Sequence, residues 1–122
     1  MMHVPPRSLL TVDIGAVRRN VRRLRSLLRP GTRFMAALKA DAYGHGALPV
    51  CQAVLQAGGD ALALATTEEA LELRESGVTA PLLVMGPVFS PAQMIELART
   101  GVQVAVVSPE MAEMLRHLPE DC

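Results

Sequence analysis

Four short apolar runs, each followed by a turn and an amphipathic helix, constrain this chain more than any other feature. The runs are Phe34–Leu38, Ala61–Ala65, Pro81–Met85 and Val102–Val107. They are largely continuous rather than alternating, the pattern of strands in a sheet covered on both faces. Helical periodicity fills the spaces around them. Asp13 heads a helix with apolar positions Ile14, Val17, Val21, Leu24 and Leu28, closed by Pro30-Gly31. Ala47, Val50, Val54 and Ala57 mark a second, stopped by Gly58-Gly59. Thr66 and Glu69 form a capping box for a third, which runs to Gly77. Ser90-Pro91 with Gln93 opens a fourth that ends at Gly101. Ser108-Pro109-Glu110 opens a fifth, with Met111, Leu115 and Leu118 facing inward. Strand and helix alternate throughout, which predicts repeated βαβ units and a parallel α/β sheet.

The spacing narrows the architecture. Successive runs begin roughly 20–30 residues apart, whereas a closed (β/α)8 barrel needs eight such units and about 250 residues. The chain has 122 residues and supplies four units. It therefore reads as a small open α/β domain or as part of a (β/α)8 TIM barrel: its first four βα units, with parallel strands inside and helices outside. Four units alone leave an apolar interior face and bare strand edges. Residues 1–12 read as an opening segment, with Leu9-Leu10-Thr11-Val12 as a strand, and residues 13–122 as the βα units. Pro119-Glu120-Asp121-Cys122 follows the last helix, and no second domain is visible after it.

Composition removes several functions. Half the residues are hydrophobic but only 2% are aromatic, so the core is built from Leu, Val, Ala and Met. Net charge is zero and the pI is about 6.8, against the basic excess of a nucleic-acid binder. No apolar stretch approaches the ~20 residues of a membrane span. The N-terminus lacks the apolar segment of a secretion signal, which points to the cytoplasm. Cys51 and Cys122 lie far apart and read as free thiols in a reducing compartment. Arginines crowd the start, with Arg18, Arg22, Arg25 and Arg29 on one face of the first helix; this reads as a solvated outer face, since no aromatics interleave.

One lysine occurs in the whole chain, Lys39, and every other cation of the Lys/Arg class is arginine. It sits in Leu38-Lys39-Ala40-Asp41-Ala42-Tyr43-Gly44-His45-Gly46, at the end of the first strand. In parallel barrels, reactive residues gather at the carboxyl ends of strands. An ε-amine can form an imine with a carbonyl cofactor, which a guanidinium cannot. Partial burial at a barrel mouth would lower its pKa and supply neutral amine. Pyridoxal phosphate is the cofactor that most often uses such a lysine. Tyr43, the one tyrosine, follows at the turn into the second helix, where its hydroxyl can donate to a cofactor phosphate. Gly44 and Gly46 permit positive φ. Taken singly the residues have plainer readings: Lys39 as a snorkelling strand end, Tyr43 as an amphipathic rim residue, His45 as a local hydrogen-bonder, and Asp41 as a cap.

The string as a whole closely resembles the cofactor-attachment signature of the alanine racemases, and eight consecutive residues from Lys39 match the usual pattern of that family. Leu38 is a mild departure, since Val or Ala is more usual there. Thr11-Val12-Asp13 with Arg19-Asn20-Val21 resembles the family's opening helix. Ala65–Ala70 with Leu73–Gly77 resembles its second strand–helix unit, and Pro81–Gly86 its third strand. The resemblance implies a pyridoxal-phosphate enzyme with a (β/α)8 barrel and a C-terminal β domain, which is absent from these residues. It implies interconversion of L- and D-alanine, supplying D-alanine for peptidoglycan, by a homodimer. Lys39 would hold the cofactor and serve as one of two bases, and Tyr43 would contact its phosphate. The second base, a tyrosine of the C-terminal domain acting across the dimer interface, has no counterpart here. These 122 residues alone would then be inactive. A barrel that binds the cofactor without catalysis and a non-enzymatic truncated remnant are the alternative readings.

Overall fold

Cap residues fix where the helices begin. In the computed structural model, which describes residues 4–122, helix α1 (Ile14–Ser26) starts after Asp13, whose Oδ1 accepts from the Ala16 N–H at 2.9 Å. Ser90 caps α5 (Pro91–Arg99) and Ser108 caps α6 (Pro109–Arg116), each through its hydroxyl oxygen and each followed by proline at the first helical position. Thr66 and Glu69 close the expected box on α4 (Thr67–Glu75). Each such cap contributes about 1 kcal/mol. The remaining helices are α2 (Lys39–Gly44), a single turn, and α3 (Ala47–Gln56).

Between them run β1 (Met35–Ala37), β2 (Ala61–Leu64), β3 (Leu82–Val84) and β4 (Gln103–Val104). They form one parallel sheet in chain order, β1-β2-β3-β4. Met35 pairs with Ala61, Leu62 with Leu82, and Leu83 with Gln103. Further bonds extend the ladder beyond the strand ends: Leu38 N–H to the Ala63 carbonyl and Met85 N–H to that of Leu64, both 2.8 Å. The ladder thus continues to the carboxyl ends of β1 and β3.

Strand alternation separates two faces. Leu62, Leu64, Leu82 and Val84 lie on the helix-covered face with no exposed surface. They pack with Cys51, Met94, Leu97 and Met111 from the helices. Each fully buried large side chain contributes about 1.5–3 kcal/mol. The opposite face carries Met35, Ala37, Ala61, Ala63, Leu83, Met85 and Gln103; the two small alanines of β2 are buried between their neighbours, but Met35 is 44% and Met85 36% exposed. That is the uncovered interior expected of a barrel's first four units. At the amino edge, Arg74 of α4 stitches the turns together. Its guanidinium donates to the carbonyls of Val78, Ala80, Thr100 and Gly101.

Three expectations are corrected. Residues 9–12 form no strand, and Leu9 and Leu10 are each 81% exposed. A strand needs a neighbour for its backbone groups, and none of the described strands lies beside them. Met1–His3 of the opening segment lie outside the described residues. Leu24 in α1 and Leu28 beyond its end do not join the core, and Arg25 lies in the seam, bonded to Asp60. The arginine face is also not simply solvated: Arg18 donates twice to the Gln56 side chain of α3, and Arg25 pairs with Asp60 at 2.7 Å.

Asp60 also accepts from the Phe34 N–H at 2.6 Å, just before β1. That backbone bond, followed by the Arg25 charge, holds its carboxyl below the ordinary value. Its stabilisation is complete above the unfolded pKa of about 3.9 and is lost as pH falls through the lower folded value. Asp60→Asn should therefore destabilise at neutral pH and flatten the acid limb of stability, leaving what Asp13 contributes. Urea titrations at stepwise pH, compared with the unsubstituted protein, measure this.

Candidate active site

The site is built where β1 runs out. Leu38 is buried and turns the chain (φ −118°, ψ 21°), and Lys39 follows it as an exposed residue at the carboxyl edge of the sheet. The next four residues, Ala40, Asp41, Ala42 and Tyr43, all take left-handed helical backbone, with φ of 52–56° and ψ of 38–51°. None is glycine. Each such residue costs about 1–2 kcal/mol relative to the right-handed form. Gly44 (φ 83°) and Gly46 (φ 91°) extend the positive-φ stretch without a Cβ penalty.

Hydrogen bonds at every level hold this turn. Ala42 N–H reaches the Leu38 carbonyl at 2.9 Å, and Gly46 N–H the Asp41 carbonyl at 3.0 Å. Asp41 Oδ1 accepts from the Ala47 N–H at 2.7 Å, so it caps α3 from six residues back, where the N-cap Gly46 has no side chain to do so. His45 Nδ1 donates to the Ala42 carbonyl at 2.9 Å. Both residues thus take the local roles expected of them. Glu69 does more than its capping box requires. One carboxylate oxygen accepts from the Ala40 N–H at 2.7 Å, and the other from Ala65 (2.8 Å) and Thr66 (3.3 Å).

The turn sorts its side chains. Ala42 is buried in the core, while Lys39 and Tyr43 on either side of it stay exposed, Tyr43 at 59%. The structure therefore brings the two sequence-derived site residues to one rim, four residues apart. The partial burial expected of Lys39 is not found, because the sheet face beyond Met35 and Ala37 is uncovered. Among the described residues no carboxylate pairs with the Lys39 ammonium. A reachable amine with an exposed phenol one turn away suits a carbonyl cofactor that also carries an anionic group.

Other features serve structure. A cleft of about 460 Å³ lies behind the turn, lined by Ala40, Asp41, Leu48, Glu69 and Leu73 among others. It excludes Lys39 and Tyr43, and its Asp41 and Glu69 carboxylates are already engaged with backbone N–H groups. Burial raises the Cys51 thiol above its ordinary range, as fits an inert packing residue. Among the described residues no cluster of three His, Cys, Asp or Glu is placed to hold a metal ion.

A parallel βα sheet in chain order, with a lysine at the tip of its first strand and left-handed backbone after it, is the arrangement of a barrel segment. Residues 12–121 match the family described as "Alanine racemase, N-terminal domain", and the chain belongs to that family. An alanine racemase of Synechocystis sp. is 45% identical over 112 residues, covering 92% of this chain and 30% of that protein. The crystal structure of alanine racemase from Bacillus anthracis with bound L-Ala-P superposes with a TM-score of 0.83 at 34% identity, over 91% of this chain and 28% of that one. The enzyme from Corynebacterium glutamicum gives 0.78 at 33% identity, over 87% and 30%. The chain thus spans about 30% of the length of these relatives. The fold matches the N-terminal part of the alanine racemase barrel, as the sequence led us to expect.

The left-handed backbone makes a direct prediction. Ala40 is exposed, so Ala40→Gly loses no packing and should raise stability by about 0.5–1 kcal/mol. Ala40→Val should lower it by at least about 1 kcal/mol, since a β-branched residue tolerates this region worst. Denaturant midpoints of the two variants, read side by side, decide the matter.

Proposed function

We propose that this chain is the cofactor-anchoring part of an alanine racemase that interconverts L- and D-alanine in the cytoplasm and supplies D-alanine for peptidoglycan. The observation that carries the proposal is Lys39: a sole lysine, exposed at the tip of β1, inside a string that resembles the family's cofactor-attachment signature. Pyridoxal phosphate, when bound, supplies an electron sink for negative charge developing at the substrate Cα. Lys39 would hold it through Nζ. The same amine, when free, would take or return a proton on one face of Cα. The Tyr43 hydroxyl would donate to the phosphate. The hydrogen bonds around Ala40–Tyr43 hold the backbone that carries amine and phenol, which would limit the reorganisation needed at each turnover.

Inversion needs a second base on the opposite face of Cα. By the family resemblance this is a tyrosine of the C-terminal domain, reaching across a homodimer. Activity therefore belongs to the whole enzyme rather than to these residues alone. No helix of the described residues is long and apolar enough to cross a membrane.

Incubation of the full-length protein with pyridoxal 5'-phosphate, borohydride reduction and peptide mapping test the assignment. The label should fall on Lys39, and its absence there would reject it. Lys39→Ala should lower kcat by about 10²–10⁴-fold. Tyr43→Phe should weaken cofactor binding by roughly tenfold or more, the effect of losing one hydrogen bond to a charged group, while leaving labelling at Lys39 intact.

A further inference from the structure

We infer that Glu69 is a positioning residue for Lys39: its carboxylate locks the left-handed turn to the second βα unit and so fixes the lysine-bearing strand tip. The inference rests on the functional reading above. Ala40 is the first of the four left-handed residues and directly follows Lys39 in the chain. Its N–H points away from the turn's own bonding pattern, and Glu69 Oε1 accepts it at 2.7 Å across 29 residues of sequence. The second oxygen, Oε2, takes the N–H groups of Ala65 and Thr66 at the end of β2. One carboxylate therefore ties the carboxyl ends of two neighbouring strands together through three backbone donors.

The capping box alone does not require this. A box on α4 needs only one oxygen of Glu69 and the hydroxyl of Thr66. The bond to Ala40 uses the oxygen left over. Only a side chain that accepts at both ends can make the two sets of bonds. Glutamine has one carbonyl oxygen, and its amide group would meet a backbone N–H donor-to-donor. Aspartate keeps both oxygens but is one methylene shorter. Without the bond, the Ala40 N–H loses its partner, and the strained backbone, whose cost is several kcal/mol over four residues, loses a restraint at its first position.

The test uses full-length protein as wild type, Glu69→Gln, Glu69→Asp and Thr66→Ala. Amide hydrogen exchange reads the bond directly. In wild type the Ala40 amide should be protected although the residue is exposed; an unprotected Ala40 overturns the inference without any variant. In Glu69→Gln and Glu69→Asp, Ala40 exchange should quicken about tenfold or more, the loss of one charge-assisted bond, while Thr66→Ala should leave it unchanged. Trapping of pyridoxal 5'-phosphate on Lys39 by borohydride should slow by a similar factor in the two Glu69 variants. It should proceed at the wild-type rate in Thr66→Ala, even where that variant matches their loss of melting temperature. Equal trapping rates across all four proteins overturn the positioning role. Failure of wild type to label at Lys39 rejects the functional reading instead, and the Ala40 exchange result then still decides whether the bond forms.

Discussion

The structure turns on the cost of left-handed backbone. Four consecutive L-residues, Ala40 to Tyr43, occupy a region each would leave if free. They remain there because Ala42 is buried and because donors and acceptors from α3, α4 and the end of β1 are all committed to the turn. Conformational strain of this kind persists only where surrounding contacts over-determine it, and such sites cluster where chemistry is done. The lysine and the strain stand next to each other in sequence. A relaxed turn would let the ε-amine wander; the strained one sets the direction in which the chain leaves the strand.

The two edges of the sheet divide the work. At the amino edge, polar side chains are spent on backbone carbonyls, as Arg74 shows. At the carboxyl edge, Lys39 and Tyr43 are left exposed while their neighbours bond locally. This asymmetry is the usual one in parallel barrels, where one end confers stability and the other reactivity. Here it is present within four strands.

Much of this was legible in the residues. Asp13, Thr66 with Glu69, Ser90-Pro91 and Ser108-Pro109 start helices where short-range capping chemistry says they should. The four apolar runs form four parallel strands, although only part of each run pairs. The string around Lys39 pointed to the family that the matched residues establish. What was hidden depended on distant partners. Nothing in Ala-Asp-Ala-Tyr signals left-handed helix, since alanine favours the right-handed form; the conformation is imposed by Glu69 and by the core around Ala42. The same holds for Arg25, which periodicity placed on an outer face and Asp60 draws into a seam. The apolar segment at residues 9–12 misled because a run of β-formers says nothing about whether a neighbouring strand exists.

Arg74 has a consequence for the order in which the chain becomes structured during synthesis. Two of its carbonyl partners, at Val78 and Ala80, leave the ribosome almost with it, but the other two, at Thr100 and Gly101, emerge only after a further strand and helix have been made. Until then part of the guanidinium is unmet, and the second unit is provisional. Growth from the N-terminus is thus ratcheted at this point: the turn after α5 completes the second unit, and a nascent chain stalled near residue 95 would leave Arg74 half-fastened.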